Sequence, residues 1–459
     1  MTATALEGKT LHELTATEAA RRIAEGSLSP VDYLRALLER IDAIDGEIHA
    51  WAYIDRERAL AEAKAMEAEA KAGKLRGPLH GVPVGIKDVF HAAGMPTRAN
   101  SNTTDGTLRE EDSSVATKFR EAGAIILGKM ATVEFAGMGP PPTTRNPWNL
   151  AHTAGGSSSG SGAAVGARMI PVAIGTQTGG SNNRPAAFNG ITGYKGTYGR
   201  IGRYGCITVS YGMDHPGIIA RSVEDCALVF NAIAGPDPRD PTLIDEAPPP
   251  SDLQMSGMRA PRLGIVRDFF KDKSEPAMWE AVEKRAAEFA GAGGTVVEVN
   301  LPATFWHHAA AHRIVMGAES ATVHAARYAH RLPDFTTRHR NGIEANSLIP
   351  AAYYLQAQRI RRLLYNELQG LFAEVDALMM PTAPGPAPEG LDSTGDASLL
   401  SPWTFIGYPS SSISAGMAPN GLPMGLQLVG APRADYDLLR TSAWCEAVAG
   451  TLPPPPRFP

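Results

Sequence analysis

Gly155-Gly156-Ser157-Ser158-Ser159-Gly160-Ser161-Gly162 runs into Ala163-Ala164-Val165-Gly166-Ala167-Arg168-Met169, then Pro171-Val172-Ala173-Ile174-Gly175, then Thr178-Gly179-Gly180-Ser181. The first stretch has the composition of a linker but not its neighbours. The apolar segment behind it reads as a helix, and residues 171–174 read as a short buried strand closed by Gly175. A Gly/Ser turn thus opens a helix, a strand follows, and a second Gly-Gly-Ser turn follows the strand. Each turn offers backbone N–H groups and a serine hydroxyl where helix and strand ends fix the chain. Acyl transfer needs those parts: a hydroxyl nucleophile, a proton path and N–H donors for an oxyanion. Composition alone favours a flexible loop. A phosphate-binding loop fits poorly, since no lysine follows the last glycine and the third glycine of a dinucleotide fingerprint is missing.

Upstream, Val82, Val84 and Ile86 alternate as in a strand and deliver Lys87, followed by Asp88. A lone lysine at a strand end is usually a solvated charge. A lysine of pKa about 10.4 serves as a base near neutral pH only if burial disfavours its ammonium form. Adjacent side chains on a strand point to opposite faces, so Asp88 need not face the Lys87 amine.

Three separated segments, in order, resemble the amidase signature family: Gly81-Val82-Pro83-Val84-Gly85-Ile86-Lys87-Asp88, the Gly155–Gly156–Ser157 turn, and Thr178-Gly179-Gly180-Ser181, with Ser181 twenty-four residues after Ser157. The resemblance implies an α/β fold with a central twisted mixed β-sheet covered on both faces by helices. It implies a catalytic set of Lys87, Ser157 and Ser181: Ser181 as nucleophile, Ser157 after a cis peptide bond from Gly156 as relay, and Lys87 as base. The oxyanion would be bound by the N–H groups of Thr178, Gly179, Gly180 and Ser181. Gly156 and Ser158 support the site, Ser158 by a hydrogen bond to Lys87. Gln177 stands where many members of the family have Asp, and Arg184 lies three after Ser181 where many have Arg at two, the place of Asn183. The two departures look correlated, as in one branch of the family, and Asn182-Asn183 make the surroundings of Ser181 unusually polar.

The remainder reads as scaffold. Thr15-Ala16-Thr17-Glu18 is a capping box, and Ser29-Pro30 opens a helix whose buried stripe is Val31, Leu34, Leu38, Ile41 and Ile44. Residues 55–71 suggest a solvent-facing helix stopped at Gly73, residues 113–122 a helix, and residues 124–128 a buried strand. Alternating helix and strand argue for a parallel or mixed sheet. Residues 135–142 form a stiff proline loop, and residues 235–261 a long polar, proline-rich surface connection. His307, His308, His312, His324, His330 and His339 cluster in one segment, with His308 and His312 on one helix face. No carboxylate or cysteine completes a metal set at ligand spacing, so no metal is expected. Residues 351–369 read as an amphipathic helix, and residues 376–384 and 421–430 as C-terminal strands.

The chain has 459 residues, 43% hydrophobic and 20% charged, with net charge −5 and no basic block, which argues against nucleic acid as a partner. Cys206, Cys226 and Cys445 read as free thiols in a reducing compartment, and no apolar run is long enough for a membrane span. The expectation is a single domain over 1–459: a helical part at 1–75, a catalytic core at 76–235, a connection and helical substrate-side region at 236–370, and C-terminal strands and helix at 371–459. No histidine lies within the three motifs to complete a Ser-His-Asp triad, so the base is expected to be Lys87. The expected activity is hydrolysis of amides, anilides and aryl or alkyl carbamates (urethanes), at C–N bonds other than peptide bonds. The enzyme is expected to need no cofactor and to act in the cytoplasm as a monomer or homodimer on a small-molecule substrate. The alternative is the glutaminase subunit of a tRNA-dependent amidotransferase, which needs a partner chain and an ammonia route. Intact Lys87, Ser157 and Ser181 argue against an inactive binding protein on the same fold.

Overall fold

A computed structural model describes residues 10–244, 246 and 258–459. Residues 245 and 247–257 of the proline-rich connection expected at 235–261 therefore lie outside the described residues. Three helices come early: α1 Ala16–Ala24, α2 Pro30–Ile48 and α3 Arg56–Lys71, with strand β1 Trp51–Ile54 between the last two. The Thr15 hydroxyl accepts the Glu18 N–H at the start of α1, and the Ser29 hydroxyl caps α2 ahead of Pro30, as the capping signals require.

Then come β2 Pro83–Lys87, α4 Ser114–Glu121, β3 Ile125–Met130, a small hairpin of β4 Arg145–Asn146 and β5 Asn149–Thr153, α5 Ser159–Gly166, β6 Val172–Gln177, α6 Asn183–Phe188, β7 Thr192–Lys195, β8 His215–Ala220 and α7 Val223–Ile233. After the connection follow β9 Arg262–Val266, α8 Phe270–Lys273, α9 Pro276–Gly291, β10 Thr295–Val299, α10 His308–Arg331, α11 Thr337–Ser347, α12 Ala351–Gln369, β11 Ala377–Pro381, α13 Ser401–Ile406, β12 Ser410–Met417, β13 Pro423–Val429 and α14 Asp435–Ala449.

Eleven of the described strands form one sheet, ordered β1-β3-β2-β6-β8-β7-β12-β13-β11-β9-β10. β2 runs parallel to both β3 and β6, and β9 runs parallel to β10 and β11. The other pairs are antiparallel, so the sheet is mixed. β2, β3, β6, β8, β11 and β13 are buried along their whole length because both faces of the sheet are covered there. Ile125, Leu127, Ala173 and Ile219 pack with α2, α3 and α5 on one face, while Ile126, Val172, Ile174 and Ile218 pack with α1, α4 and α7 on the other. This is the two-residue alternation of a pleated strand. Helix α10 packs on α11, α12 and α13 as a separate layer. No described helix is long and apolar enough to cross a membrane, and Cys206, Cys226 and Cys445 are free thiols.

One boundary differs from the sequence expectation in a way that matters. β6 does not close at Gly175 but continues to Gln177. Gly175 pairs with Gly217 across β6 and β8. A Cβ on Gly175 would sit 2.6 Å from Ser158 Oγ and 2.7 Å from Asn182 Oδ1, and one on Gly217 would collide with the Asn182 side chain. The two glycines leave a hollow that polar side chains fill, so the strand carries on and presents Thr176 and Gln177 beside the second turn.

Candidate functional site

The Gly/Ser run is ordered by its own hydroxyls. Ser159 Oγ donates to Gly155 C=O at 2.7 Å and Ser161 Oγ to Ile174 C=O at 3.0 Å. α5 starts at Ser159, inside the run. Its small residues let it lie against the chain: a Cβ on Gly160 would collide with Ala50 C=O. The peptide between Gly156 and Ser157 is cis, and Arg184 Nη2 donates to Gly156 C=O at 2.6 Å. The same guanidinium reaches Thr394 Oγ1 and Gly395 C=O, both at 2.9 Å. It thereby ties the first turn, α6 and the 393–395 loop together.

The end of β2 places Lys87 behind this turn. Its Nζ lies 2.7 Å from Ser157 Oγ and 2.7 Å from Thr176 Oγ1. Burial lowers the Lys87 ammonium to about 7, with weaker opposition from Asp214 and Cys206. Asp88 points to the other face, where its carboxylate accepts from Lys129 Nζ at 2.9 Å and from the N–H groups of Arg98 and Ala99. Two further lysines are equally buried, but their partners differ. Lys129 is paired with Asp88, and Lys195 donates to the carbonyls of Gly196 and Tyr408. Lys129 also reaches the Thr97 hydroxyl at 3.0 Å, but Lys87 is the one whose hydrogen-bond partners among the described residues are hydroxyls alone. As a neutral amine it can accept the Ser157 hydroxyl proton with its lone pair while donating an N–H to Thr176.

Ser158 does not bond Lys87 as expected. Its Oγ accepts the Thr176 N–H at 3.1 Å and donates to Thr176 C=O at 3.3 Å. Thr176 fills the place beside the amine because β6 extends past Gly175. Ser158 acts at one remove, by fixing the Thr176 backbone.

Ser181 closes the second turn. Its carbonyl accepts the Ser158 N–H at 3.2 Å, which holds the two turns together. Among the described residues Ser181 Oγ makes no hydrogen bond to Ser157, although both side chains line one cavity of about 160 Å³ with Arg184, Arg338, Thr394 and Gly395. A second cavity of about 170 Å³ meets it at Ala136, Gly137, Met138, Ser181 and Arg184, and its far walls include Val209, His312, Met316, Asn346 and Ala397. The N–H groups of Gly179, Gly180 and Ser181 donate to no acceptor among the described residues. A Cβ on Gly180 would sit 2.8 Å from Leu400 Cδ1, so that position admits only glycine without displacement. Thr178, expected beside them, gives its hydroxyl to the buried Asp214 carboxylate at 2.5 Å.

Gln177 caps the start of α6. Its Oε1 accepts from the N–H groups of Asn182 and Asn183, both at 3.0 Å, and its Nε2 donates to Thr404 Oγ1 at 3.0 Å. Asn182 and Asn183 turn their amides onto carbonyls of Tyr194, Ile218 and Ser410. They anchor α6 to the sheet and do not line the cavities. The histidines are dispersed. His308 bonds Phe305 C=O, His312 bonds Thr178 C=O, and His324 and His339 sit in an aromatic cluster with Phe135 and Phe335. No group of three metal-ligating side chains exists among the described residues.

Sequence reasoning missed Thr176, His312 and Thr404 as parts of the site. Thr176 was hidden by the strand boundary at Gly175. His312 and Thr404 come from distant segments without a motif.

Comparison with known proteins places these features. The sequence matches the model of the Amidase family over residues 32–439. It is 37% identical to a glutamyl-tRNA(Gln) amidotransferase subunit of Acidothermus cellulolyticus, over 94% of each chain, and 37% identical to the protein of that name in Marinobacter nauticus, over 92% of this chain and 94% of that one. Among solved structures, one superposes with a TM-score of 0.88 at 31% identity, covering 96% of this chain and all of that one. It is described as a vestigial protein complex that reveals the evolutionary origins of an s-triazine catabolic enzyme. Native peptide amidase from Stenotrophomonas maltophilia superposes with a TM-score of 0.85 at 29% identity, over 96% of this chain and 98% of that one. The amidotransferase relatives correct two expectations. Relatives similar from end to end bear the name of an amidotransferase subunit, which overturns the reading as a free-standing hydrolase of amides, anilides and carbamates. Their being named as subunits likewise overturns the expectation of a monomer or homodimer with a small molecule as sole partner, and points to protein partners.

Proposed function

The chain belongs to the amidase signature family, and from that premise we propose that it is the glutamine-hydrolysing subunit of a tRNA-dependent amidotransferase. The observation that carries this reading is the co-linear similarity, 37% over 94% of both chains, to a protein named for that enzyme. Arg338 adds support. It is exposed, forms no ion pair among the described residues and lines the cavity that holds Ser157 and Ser181, where it can receive a substrate carboxylate. Cytoplasmic action accords with the free thiols.

In this proposal neutral Lys87 takes the proton of Ser157, and Ser157 takes that of Ser181 as it attacks the side-chain carbonyl of glutamine. The carbonyl oxygen becomes an oxyanion facing the free N–H groups of Gly179, Gly180 and Ser181. The proton returns through Ser157 to the leaving nitrogen, and ammonia departs. Water then attacks the acyl-Ser181 ester and releases glutamate, with the same relay as base. The ammonia passes to a partner chain.

The test is production of glutamate and ammonia from L-glutamine by the purified chain, alone and with the partner chain that co-purifies from its own host. Glutamine hydrolysis that rises with the partner and Glu-tRNA(Gln) is expected. A chain that purifies alone and leaves glutamine intact would overturn the reading.

A further inference from the structure

Hydrogen bonding around residues 178–181 is divided by polarity. All four carbonyls are occupied: Thr178 C=O by His312 Nε2 at 2.8 Å, Gly179 C=O by the Thr404 hydroxyl at 2.7 Å, Gly180 C=O by the Arg184 N–H at 3.1 Å and Ser181 C=O by the Ser158 N–H at 3.2 Å. The amides of Gly179, Gly180 and Ser181 are left free among the described residues. Two of the four carbonyl partners are backbone groups of the turns and of α6. The other two are side chains brought in from α10 and α13.

We propose that His312 and Thr404 are positioning residues: by holding the carbonyls of Thr178 and Gly179 from outside, they aim the N–H groups of Gly179 and Gly180 at the reacting oxygen. A trans peptide is planar, with C=O and N–H pointing in opposite directions, so fixing one end of the plane fixes the other. Glycine backbones do not hold such planes unaided, because they have more accessible conformations than any other residue.

Each holder is itself held. A carbonyl cannot donate, so His312 Nε2 carries the proton and the tautomer is set. Burial lowers the ring to about 4, so it works as a neutral donor. Thr404 has one hydroxyl proton, and its short bond is to Gly179; the contact to Leu400 C=O is longer, at 3.2 Å. Its lone pair accepts from Gln177 Nε2, which orients the hydroxyl. Gln177 in turn receives the amides of Asn182 and Asn183, directly after Ser181. The residue found where many members of the family have Asp thus supplies the donor that a carboxylate lacks.

The inference rests on the reading of Ser181 as nucleophile. The test follows phosphonylation by an alkyl fluorophosphonate, so it needs no knowledge of the natural amide. His312→Phe keeps a ring and removes the donor, whereas His312→Gln offers an amide N–H in its place. Thr404→Val and Thr404→Ser form the parallel pair. Fixed N–H donors stabilise the developing charge and contribute little to the encounter. His312→Phe and Thr404→Val are therefore expected to lower kinact about 10- to 100-fold with KI within about threefold. His312→Gln and Thr404→Ser should recover most of the loss. A merely structural role would not split kinact from KI, nor be rescued by a hydrogen-bond donor. Rates within about twofold of wild type in both His312→Phe and Thr404→Val would overturn the proposal, as would His312→Gln being as slow as His312→Phe. Should His312→Phe fail to fold, the Thr404 pair decides alone. Ser181→Ala separates the two readings. If it still labels at full rate, the nucleophile assignment and this inference fall together. If it is silent while His312→Phe and Thr404→Val react normally, only the positioning role fails.

Discussion

Lys87 Nζ lies 2.7 Å from Ser157 Oγ, although the two residues are 70 positions apart in the chain. The contact is made by the parallel pairing of β2 with β6, which sets the end of β2 beside the turn that opens α5. Its chemistry comes from burial, which leaves an amine able to gain or lose a proton near neutrality.

That property sets the pH dependence of the reaction. The rising limb of kcat/KM should lie near pH 7, since burial lowers the Lys87 ammonium to about 7 and the proposed relay uses the neutral form as base. Lys87→Ala should lose at least about 100-fold in rate and also lose this limb. A pH–rate profile of both proteins checks this; an unchanged limb in Lys87→Ala would place the base elsewhere.

The same burial costs stability, with a definite sign. Lys87 titrates near 10.5 when unfolded and near 7 when folded. Below about 7 both states hold the proton and the cost is constant. Between about 7 and 10.5 the unfolded chain binds a proton that the folded chain does not, so this group's contribution to stability rises with pH. Lys87→Met removes that dependence. Its advantage over wild type in unfolding free energy should shrink by roughly 1.4 kcal/mol per pH unit across this window. Urea unfolding at pH 7.5 and 9.5 measures it, and a constant difference between the two proteins would refute the assignment.

Ser181→Ala should abolish turnover while leaving the fold intact. A fluorophosphonate probe should label the wild-type protein at Ser181 and leave the variant unlabelled, read by mass spectrometry of the modified peptide.

Gln177→Glu should be harmful despite its small change in shape. The carboxylate can still accept from Asn182 and Asn183, but it has no proton for Thr404, and it places a charge at a fully buried position. A loss of about 1–3 kcal/mol is expected, with slower phosphonylation of Ser181. Calorimetry together with the labelling rate would show it.

Removal of metal should leave the rate unchanged, because His308 and His312 are each committed to a backbone carbonyl. Dialysis against a strong chelator tests this, and activity lost and then restored by zinc would contradict it.

The sheet and the three motif segments were legible in the sequence because their signals are local. Caps at Thr15 and Ser29 mark helix starts, alternation at residues 82–86 marks a strand, and paired glycines mark the turns. Long-range complementarity was not legible. Gly175 read as a strand end because nothing nearby shows that Gly217 faces it and that Asn182 fills the gap. Asn182 and Asn183 read as a polar rim for the same reason, yet they bond inward to the sheet. The histidine run showed no more than a shared helix face for His308 and His312, whereas in the fold each of those two rings bonds a backbone carbonyl and His324 and His339 lie among aromatic rings. Thr404 sits in an ordinary apolar helix, and its role exists only once α13 is folded against the second turn.

The hollow shared by Gly175 and Gly217 has a consequence for how such a protein can diverge. Adding a methyl group at either glycine presses on Asn182, the residue next to Ser181, although neither glycine lines the two cavities at Ser181. In a saturation library both positions will behave like active-site residues. Met316 and Asn346 line the second cavity from α10 and α11 and do not touch that hollow. Substitutions there can accumulate while the chemistry survives. A lineage built on this architecture would keep the two turns and the His312 and Thr404 contacts that hold them, and renegotiate its diet through the rest of α10 and α11.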